Sequence, residues 1–218
     1  MTGNADSTNA ARYEAVVIGA SSGGVKALSN IISCLGDTFP FPVMVVLHIH
    51  PHADAGLVRL LDTRCPIHVK EADEKEPAHA GVVYFAPPNY HLLVEEERTL
   101  SLSVEERVNH SRPSIDLLFE TAAEAYGTGL IGIVLTGANR DGAQGLRRIV
   151  ECGGMAVVQN PATAEAMAMP EAALKATPVD HVLPLEEIGP WLVSISGETA
   201  SSRVGGQWVA SGKGDDEG

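Results

Sequence analysis

Residues 15–24 read Ala-Val-Val-Ile-Gly-Ala-Ser-Ser-Gly-Gly. The apolar, β-branched run at the start predicts a strand that is buried on both faces. A glycine turn follows it, and from Val25 onward apolar side chains recur at helical spacing. The stretch therefore predicts a strand, a sharp turn and a helix, with Ser21 on the turn.

The turn also fits the pattern G-x-S-x-G between Gly19 and Gly23. In that pattern a serine sits on a sharp strand-to-helix turn with its hydroxyl exposed, as a nucleophile requires. The helix start behind it offers free N–H groups and a positive dipole end, which suit a developing oxyanion. On these residues alone, the alternative interpretation is a glycine-rich turn that binds phosphate or only connects two elements.

Further along the chain, strands continue to alternate with helices. Strands are predicted at 13–18, 41–47, 67–71, 129–136, 155–159 and 181–183. Helices are predicted at 24–35, 53–63 and 113–126, after the loop at 137–142 to about 151, near 162–175 and at 184–195. Three segments of alternating polarity, at 82–86, 91–95 and 100–104, predict a small antiparallel meander or hairpin at a sheet edge. The pattern predicts an α/β fold with a largely parallel sheet covered on both faces.

Composition excludes several classes of protein. With 218 residues, 44% of them apolar, one globular domain is expected, which we place at 14–195 between disordered segments at 1–13 and 196–218. A net charge of −13 argues against nucleic acid or an anionic membrane as a partner. No apolar run is long enough to insert into a membrane. The three cysteines are scattered, as in a reduced cytoplasmic protein.

Three polar residues follow three of the predicted strands. Ser21, His48 and Asp141 each lie at or just beyond a strand's C-terminal end, where the sites of open parallel sheets form. Serine, imidazole and carboxylate are the set that performs nucleophilic acyl transfer. Their order along the chain differs from the Ser…Asp…His order of α/β-hydrolases, so that fold is not implied.

The histidine-rich stretch from His48 to Asp54 offers a competing interpretation. His-x-His places two imidazoles on one side of a strand, as in dizinc hydrolases. Here, however, the aspartate has the wrong offset and Pro51 interrupts the strand. We therefore expect no metal and no organic cofactor, and keep a metal-dependent hydrolase as a lesser alternative.

Two charged features of the 105–126 region are also open to interpretation. Arg112 either steers an acidic partner or is a solvated loop charge. Asp116 and Glu120 have the spacing of an exposed helix face.

Six collinear segments resemble the catalytic domain of the chemotaxis protein-glutamate methylesterases (CheB type). They lie at 17–25, 45–51, 112–119, 135–145, 159–164 and 169–173. The resemblance implies a three-layer α/β/α sandwich with a doubly wound, mostly parallel sheet. It also implies an enzyme that removes methyl groups from glutamate γ-esters on chemoreceptors and releases methanol; some members of the family also deamidate receptor glutamines.

Carried over by motif, the resemblance makes Ser21 the nucleophile, His48 the base and Asp141 the carboxylate that orients the base. The loop before Asp141 departs from the family, because Ala138-Asn139-Arg140 replaces the usual Met-Gly-Asn. This departure bears on substrate preference or oxyanion geometry. Typical members also carry an N-terminal receiver domain; with about thirteen residues before the first strand, we expect no control by that route within this chain.

The resulting hypothesis is a cytoplasmic serine esterase that acts on a methylated chemoreceptor or related signalling protein. A non-catalytic sensory or scaffolding domain with the same fold is the main alternative. A nucleotide-binding module ranks third, because the glycine turn lacks G-x-G-x-x-G and a P-loop lysine. The oligomeric state is not predicted.

Overall fold

The computed structural model describes residues 13–48 and 56–197. Its strands are β1 (Ala15–Ala20), β2 (Val43–Leu47), β3 (His68–Glu71), β4 (Val82–Phe85), β5 (His91–Val94), β6 (Leu100–Ser103), β7 (Leu130–Val134), β8 (Met155–Gln159) and β9 (His181–Leu183). Its α-helices are α1 (Gly24–Ile32), α2 (Leu57–Arg64), α3 (Ile115–Tyr126), α4 (Ala143–Glu151), α5 (Ala168–Ala176) and α6 (Leu185–Ser196). None of these helices is long and apolar enough to cross a bilayer.

Seven strands form one sheet in the order β3-β4-β2-β1-β7-β8-β9, and every neighbouring pair is parallel. The central strands β1, β2 and β7 are buried along their whole length, and their successive side chains point to opposite faces of the sheet, so both faces are covered there. In β1, Val16 and Ile18 join the core beneath α1, α2 and α6, whereas Ala15 and Val17 join the core beneath α3, α4 and α5. The predicted three-layer α/β/α sandwich with a parallel sheet is confirmed.

The prediction for residues 82–104 was right about a hairpin and wrong about its extent and place. β4 lies inside the main sheet between β3 and β2, parallel to both. Only β5 and β6 pair antiparallel, and they form a separate two-stranded sheet instead of an edge of the main one. The physical reason is burial: Val83, Tyr84 and Phe85 are consecutively buried, as in a central strand.

The hairpin packs on α3 and is tied to its first turn. Leu92, Val94 and Leu100 bury their side chains in the core shared with α3. His91 is fully buried, with Nδ1 3.1 Å from the backbone nitrogen of Ser114 and Nε2 3.1 Å from the carbonyl of Glu106. Since a backbone N–H only donates, Nδ1 accepts and the ring proton is on Nε2.

Some predicted segments fall partly or wholly outside the described residues. The helix expected at 53–63 begins at Leu57 in the structure, and its first predicted residues are among those that are not described. The same holds for residues 1–12 and 198–218, which make up most of the two segments expected to be disordered. Those expectations stay predictions.

The strand order reverses at the centre of the sheet. β1 leads through α1 to β2 on one side, while its other neighbour, β7, begins the series that runs outward to β9. The loops after β1 and β7 therefore diverge to opposite faces and leave a crevice between them. In open α/β sheets this is the place where ligands bind.

Candidate active site

Ser21 lies on the turn between β1 and α1 and is partly exposed. Its backbone nitrogen donates to the carbonyl of Thr136 at 2.9 Å, and its carbonyl accepts from the nitrogen of Gly24 at 2.7 Å. Gly23 has a φ of 78°, in the left-handed region that favours glycine, and no side chain caps α1. The turn is thus held by backbone bonds, and the helix N-terminus is available to an anion.

His48 directly follows β2 and lies beside the end of β1. Its backbone nitrogen donates to the carbonyl of Ala20 at 2.9 Å, which continues the parallel pairing of the two strands by one residue. Only 13% of its side chain is exposed. The imidazole Nε2 lies 3.1 Å from Oδ2 of Asp141, an ion-pair distance, although the ring is not aligned for a regular hydrogen bond.

Asp141 is completely buried and accepts hydrogen bonds from both neighbouring helix starts. Oδ2 accepts from the backbone nitrogen of Ile115 at 2.8 Å, and Oδ1 from those of Asp116 and Gly142 at 3.1 Å each. The hydroxyl of Ser114 also donates to Oδ1, at 3.2 Å. Burial by itself raises the pKa of Asp141, but the contact with His48 and the backbone N–H donors outweigh burial and hold the pKa below its ordinary value.

His48 and Asp141 thus meet beyond the ends of β2 and β7, and Ser21 follows β1, the strand that lies between those two in the sheet. Within the described residues, no hydrogen bond joins Oγ of Ser21 to His48. Instead, Nδ2 of Asn139 lies 3.2 Å from Nδ1 of His48, while Oδ1 of Asn139 accepts from the backbone nitrogen of Asp141 at 3.1 Å. That second bond fixes the orientation of the amide.

The contact with Asn139 determines where the ring proton of His48 lies. An amide nitrogen only donates, so Nδ1 of His48 accepts and its proton is on Nε2, facing Asp141. Nδ1 is therefore the ring nitrogen whose lone pair can accept a proton. The sequence singled out Asn139 only as a departure from the family pattern; its place two residues before Asp141 was the available signal.

The spacing of Asp116 predicted an exposed helix face, and this prediction is wrong. Asp116 is 4% exposed, and its carboxylate accepts backbone N–H groups of α4. Helical periodicity identifies the face of a helix but not the partner that covers it, which explains the error. Glu120, one turn further along, is half-buried. Arg112 donates to the carbonyls of Val104 and Glu105 at 2.6 and 2.9 Å, so it stabilises a loop.

The alternative metal site rests mostly on residues that are not described. His50, His52 and Asp54 fall in the gap at 49–55. Across residues 13–48 and 56–197, no three His, Cys, Asp or Glu side chains are placed to hold a metal ion.

A cavity of about 460 Å³ opens beside Asp141. Asn109, His110, Asn139, Arg140 and Ala168 complete its lining. Arg140 is exposed and makes no ion pair with any described residue. The site therefore combines a serine at a helix N-terminus with an imidazole held by a buried carboxylate, and the cavity opens on the side of that carboxylate.

Comparison with known proteins identifies relatives of this arrangement. The sequence profile described as CheB methylesterase matches residues 16–192. A Leptospira interrogans protein, whose provisional name gives protein-glutamate methylesterase and protein-glutamine glutaminase, is 52% identical over 88% of this chain and 99% of its own length. A protein-glutamate methylesterase/protein-glutamine glutaminase of Anaeromyxobacter dehalogenans is 43% identical, over 82% of this chain and 52% of its own length.

A solved structure shares the fold. The Thermotoga maritima CheB methylesterase catalytic domain superposes with a TM-score of 0.80 and 32% sequence identity. The match covers 84% of this chain and 98% of that domain. The seven-stranded sheet and its layers are thus the same architecture.

Proposed function

We propose, since the chain belongs to the CheB methylesterase family, that it is a serine esterase that hydrolyses glutamate γ-methyl esters on chemoreceptors or related signalling proteins. The observation that supports the proposal is the contact between His48 and Asp141 beside the end of β1, the strand that leads to Ser21 and lies between β2 and β7 in the sheet. The reaction takes place in the cytoplasm, and its steps use neither a metal nor an organic cofactor.

In the first half of the reaction, Nδ1 of His48 takes the proton from Oγ of Ser21 as Oγ attacks the ester carbonyl carbon. Asp141 stabilises the imidazolium that forms. The negative charge on the carbonyl oxygen is met by the N–H groups at the start of α1. When the tetrahedral intermediate collapses, the methoxy group leaves with the proton from His48 as methanol, and the glutamyl group remains on Ser21 as an ester.

In the second half, water attacks that ester while His48 takes one of its protons. The proton returns to Oγ of Ser21 when the glutamate carboxylate leaves. The same attack on a glutamine side-chain amide would release ammonia, an activity that the names of the relatives include. We include it in the proposal as a second substrate class.

One observation favours the alternative of a non-catalytic domain. In this structure the lone pair of His48 Nδ1 faces Asn139 rather than Ser21. A working esterase needs Ser21 Oγ to replace that amide when the substrate binds. Contacts between nucleophile and base are often longer in substrate-free enzymes than during the reaction, so the geometry is compatible with catalysis.

The test of the proposal is methanol release from a methyl-esterified chemoreceptor by the full chain. We expect turnover, together with covalent labelling of Ser21 by a fluorophosphonate, located by peptide mass spectrometry. The absence of both methanol release and serine labelling would indicate the scaffolding domain. Turnover that disappears with a chelator and returns with zinc would instead support the metal-dependent hydrolase.

Asn139→Asp is expected to lower kcat by about 100-fold or more. A carboxylate beside Nδ1 of His48 accepts a hydrogen bond, which draws the ring proton to the nitrogen that must be free to act as base; a wrong tautomer is severely costly in serine hydrolases. The added negative charge also favours the imidazolium, so the acid limb of the pH–rate profile should move to higher pH.

The matched control for this substitution is Asn89→Asp. Asn89 is exposed, has a positive φ and lies on the turn before β5, and it takes part in none of the contacts of Ser21, His48 or Asp141 described above. We expect its kcat to equal that of the wild type. Equal kcat in Asn139→Asp and Asn89→Asp would show that Asn139 does not act on His48.

A further inference from the structure

Asp116 is a buried carboxylate that the reaction as described does not use. It lies on the first turn of α3 and is 4% exposed. Its Oδ1 accepts from the backbone nitrogens of Gly142 and Gly145 at 2.9 and 2.8 Å, and its Oδ2 accepts from Nδ2 of Asn109 at 2.9 Å. Two of these donors belong to the first turn of α4, directly after Asp141.

The two helix starts exchange their caps. Asp141, in front of α4, accepts the backbone N–H groups of Ile115 and Asp116 at the start of α3. Asp116 in turn accepts the N–H groups at the start of α4, where Gly142 itself supplies no side-chain cap. Each helix is therefore capped by a carboxylate that the other element holds, and neither start can shift alone.

Close packing enforces this arrangement. A Cβ atom on Gly145 would lie 2.5 Å from Cβ of Phe119 and 2.9 Å from the carbonyl oxygen of Asp116. The two helices thus approach at a distance that only glycine permits. The backbone N–H of Gly142 donates to both carboxylates, at 2.9 Å to Asp116 and 3.1 Å to Asp141, so the two charges lie close together.

The other charged groups around Asp116 come from three elements. Asp116 lines a cavity of about 520 Å³ together with Arg140, from the loop before α4, and Lys175, from α5. On α3 itself, Glu120 lies one turn further along. Burial, partly offset by the N–H of Gly145 and reinforced by the charge of Asp141, raises the pKa of Asp116 to about 6, whereas the pKa of Asp141 is lowered. Asp141 is thus the member of the pair that ionises at the lower pH.

We propose that Asp116 is a positioning residue for the esterase reaction: its ionised carboxylate holds the first turn of α4, and with it the backbone at Asp141 that orients His48. The inference rests on the proposed function. Charge-assisted hydrogen bonds are roughly twice as strong as neutral ones, so the hold weakens when Asp116 is protonated or replaced.

Two substitutions separate geometry from charge. Asp116→Ala removes the acceptors and should lower kcat by about 100-fold, as expected for a displaced catalytic group, with KM changed by less than about threefold. Asp116→Asn keeps an oxygen that can accept from Gly142 and Gly145, and the exposed amide of Asn109 can turn to match it. We expect this variant to lose about tenfold in kcat at pH 7.5.

The decisive measurement is the ratio of wild-type kcat to Asp116→Asn kcat as a function of pH. A merely structural role would leave this ratio independent of pH. Below about pH 6, Asp116 is protonated in the wild type as well, and its advantage over Asp116→Asn disappears. The wild-type to Asp116→Asn ratio of kcat should therefore fall from about ten at pH 7.5 toward one at pH 5. A ratio that is independent of pH would overturn the proposal.

Unfolding is monitored separately. The pKa of Asp116 is raised in the folded state, so its ionised form opposes folding at pH 7 and Asp116→Asn should unfold at a temperature no lower than the wild type.

Glu120→Gln, which removes a charge from the same helix one turn away, is the matched control and should keep wild-type kcat. If the wild type itself releases no methanol, the proposed function fails; if it turns over and both Asp116 variants match it, only this inference fails.

Discussion

Ser21→Ala is expected to lower methanol release by about 10⁴–10⁶-fold and to leave the fold intact. The acyl-enzyme mechanism has no nucleophile without Oγ, whereas the turn that carries residue 21 is held by backbone hydrogen bonds to Thr136 and Gly24. The measurement is single-turnover methanol release at enzyme excess, with circular dichroism to verify folding. Wild-type turnover in this variant would refute the assignment of the nucleophile.

His48→Ala should be as damaging, and Ser21→Ala/His48→Ala no worse than either single variant. Nucleophile and base act as one unit, so their losses do not add. Ser29→Ala is the matched control, because its hydroxyl donates to the carbonyl of Val25 on the same helix and takes part in none of the contacts of the candidate site. Multiplying losses in the double variant would mean that the two residues act independently and do not form a nucleophile–base pair.

Asp141→Asn is expected to reduce kcat by up to about 10⁴-fold and also to destabilise the protein. In the wild type both carboxylate oxygens accept: Oδ2 from Ile115, and Oδ1 from Ser114, Asp116 and Gly142. An asparagine turns one of these acceptors into a donor that faces backbone N–H groups. A buried donor without an acceptor costs about 1–3 kcal/mol of folding free energy.

The destabilisation of Asp141→Asn should depend on pH in one direction. Because the pKa of Asp141 is lowered in the folded state, its ionised form stabilises the fold at neutral pH, and this contribution is lost as the pH falls through the folded-state pKa. The difference in unfolding free energy between wild type and variant should thus be full at pH 7 and shrink below about pH 4. Urea unfolding at a series of pH values measures it, and a constant difference would contradict the assigned role of the ionised carboxylate.

Much of the architecture could be predicted because it depends on local patterns. Apolar runs that end in glycine, followed by helical periodicity, identified the central strands, and the carboxyl ends of parallel strands necessarily share one edge. That rule predicts from the sequence that Ser21, His48 and Asp141 lie near one another. Their catalytic roles remain proposals that the variants above test.

The rest depended on tertiary contacts that no local pattern contains. β4 was assigned to the hairpin because alternation at 82–86 resembles that of the next two segments, but its place between β3 and β2 is decided by the burial of both its faces. Asp116 was expected at the surface, whereas its partners lie 26 and 29 residues away at the start of another helix. Asn139 was visible as an unusual residue, but not its contact with His48.

The small β5–β6 sheet limits how far the chain can be shortened. It lies outside the main sheet and looks like an appendage that an engineer could trim to obtain a smaller catalyst. Yet His91, at the start of β5, binds the backbone nitrogen of Ser114, whose hydroxyl donates to Asp141. Removal of the β5–β6 sheet would leave the buried N–H of Ser114 without an acceptor next to the candidate catalytic carboxylate. A shortened chain therefore has to keep this sheet or supply another acceptor in its place.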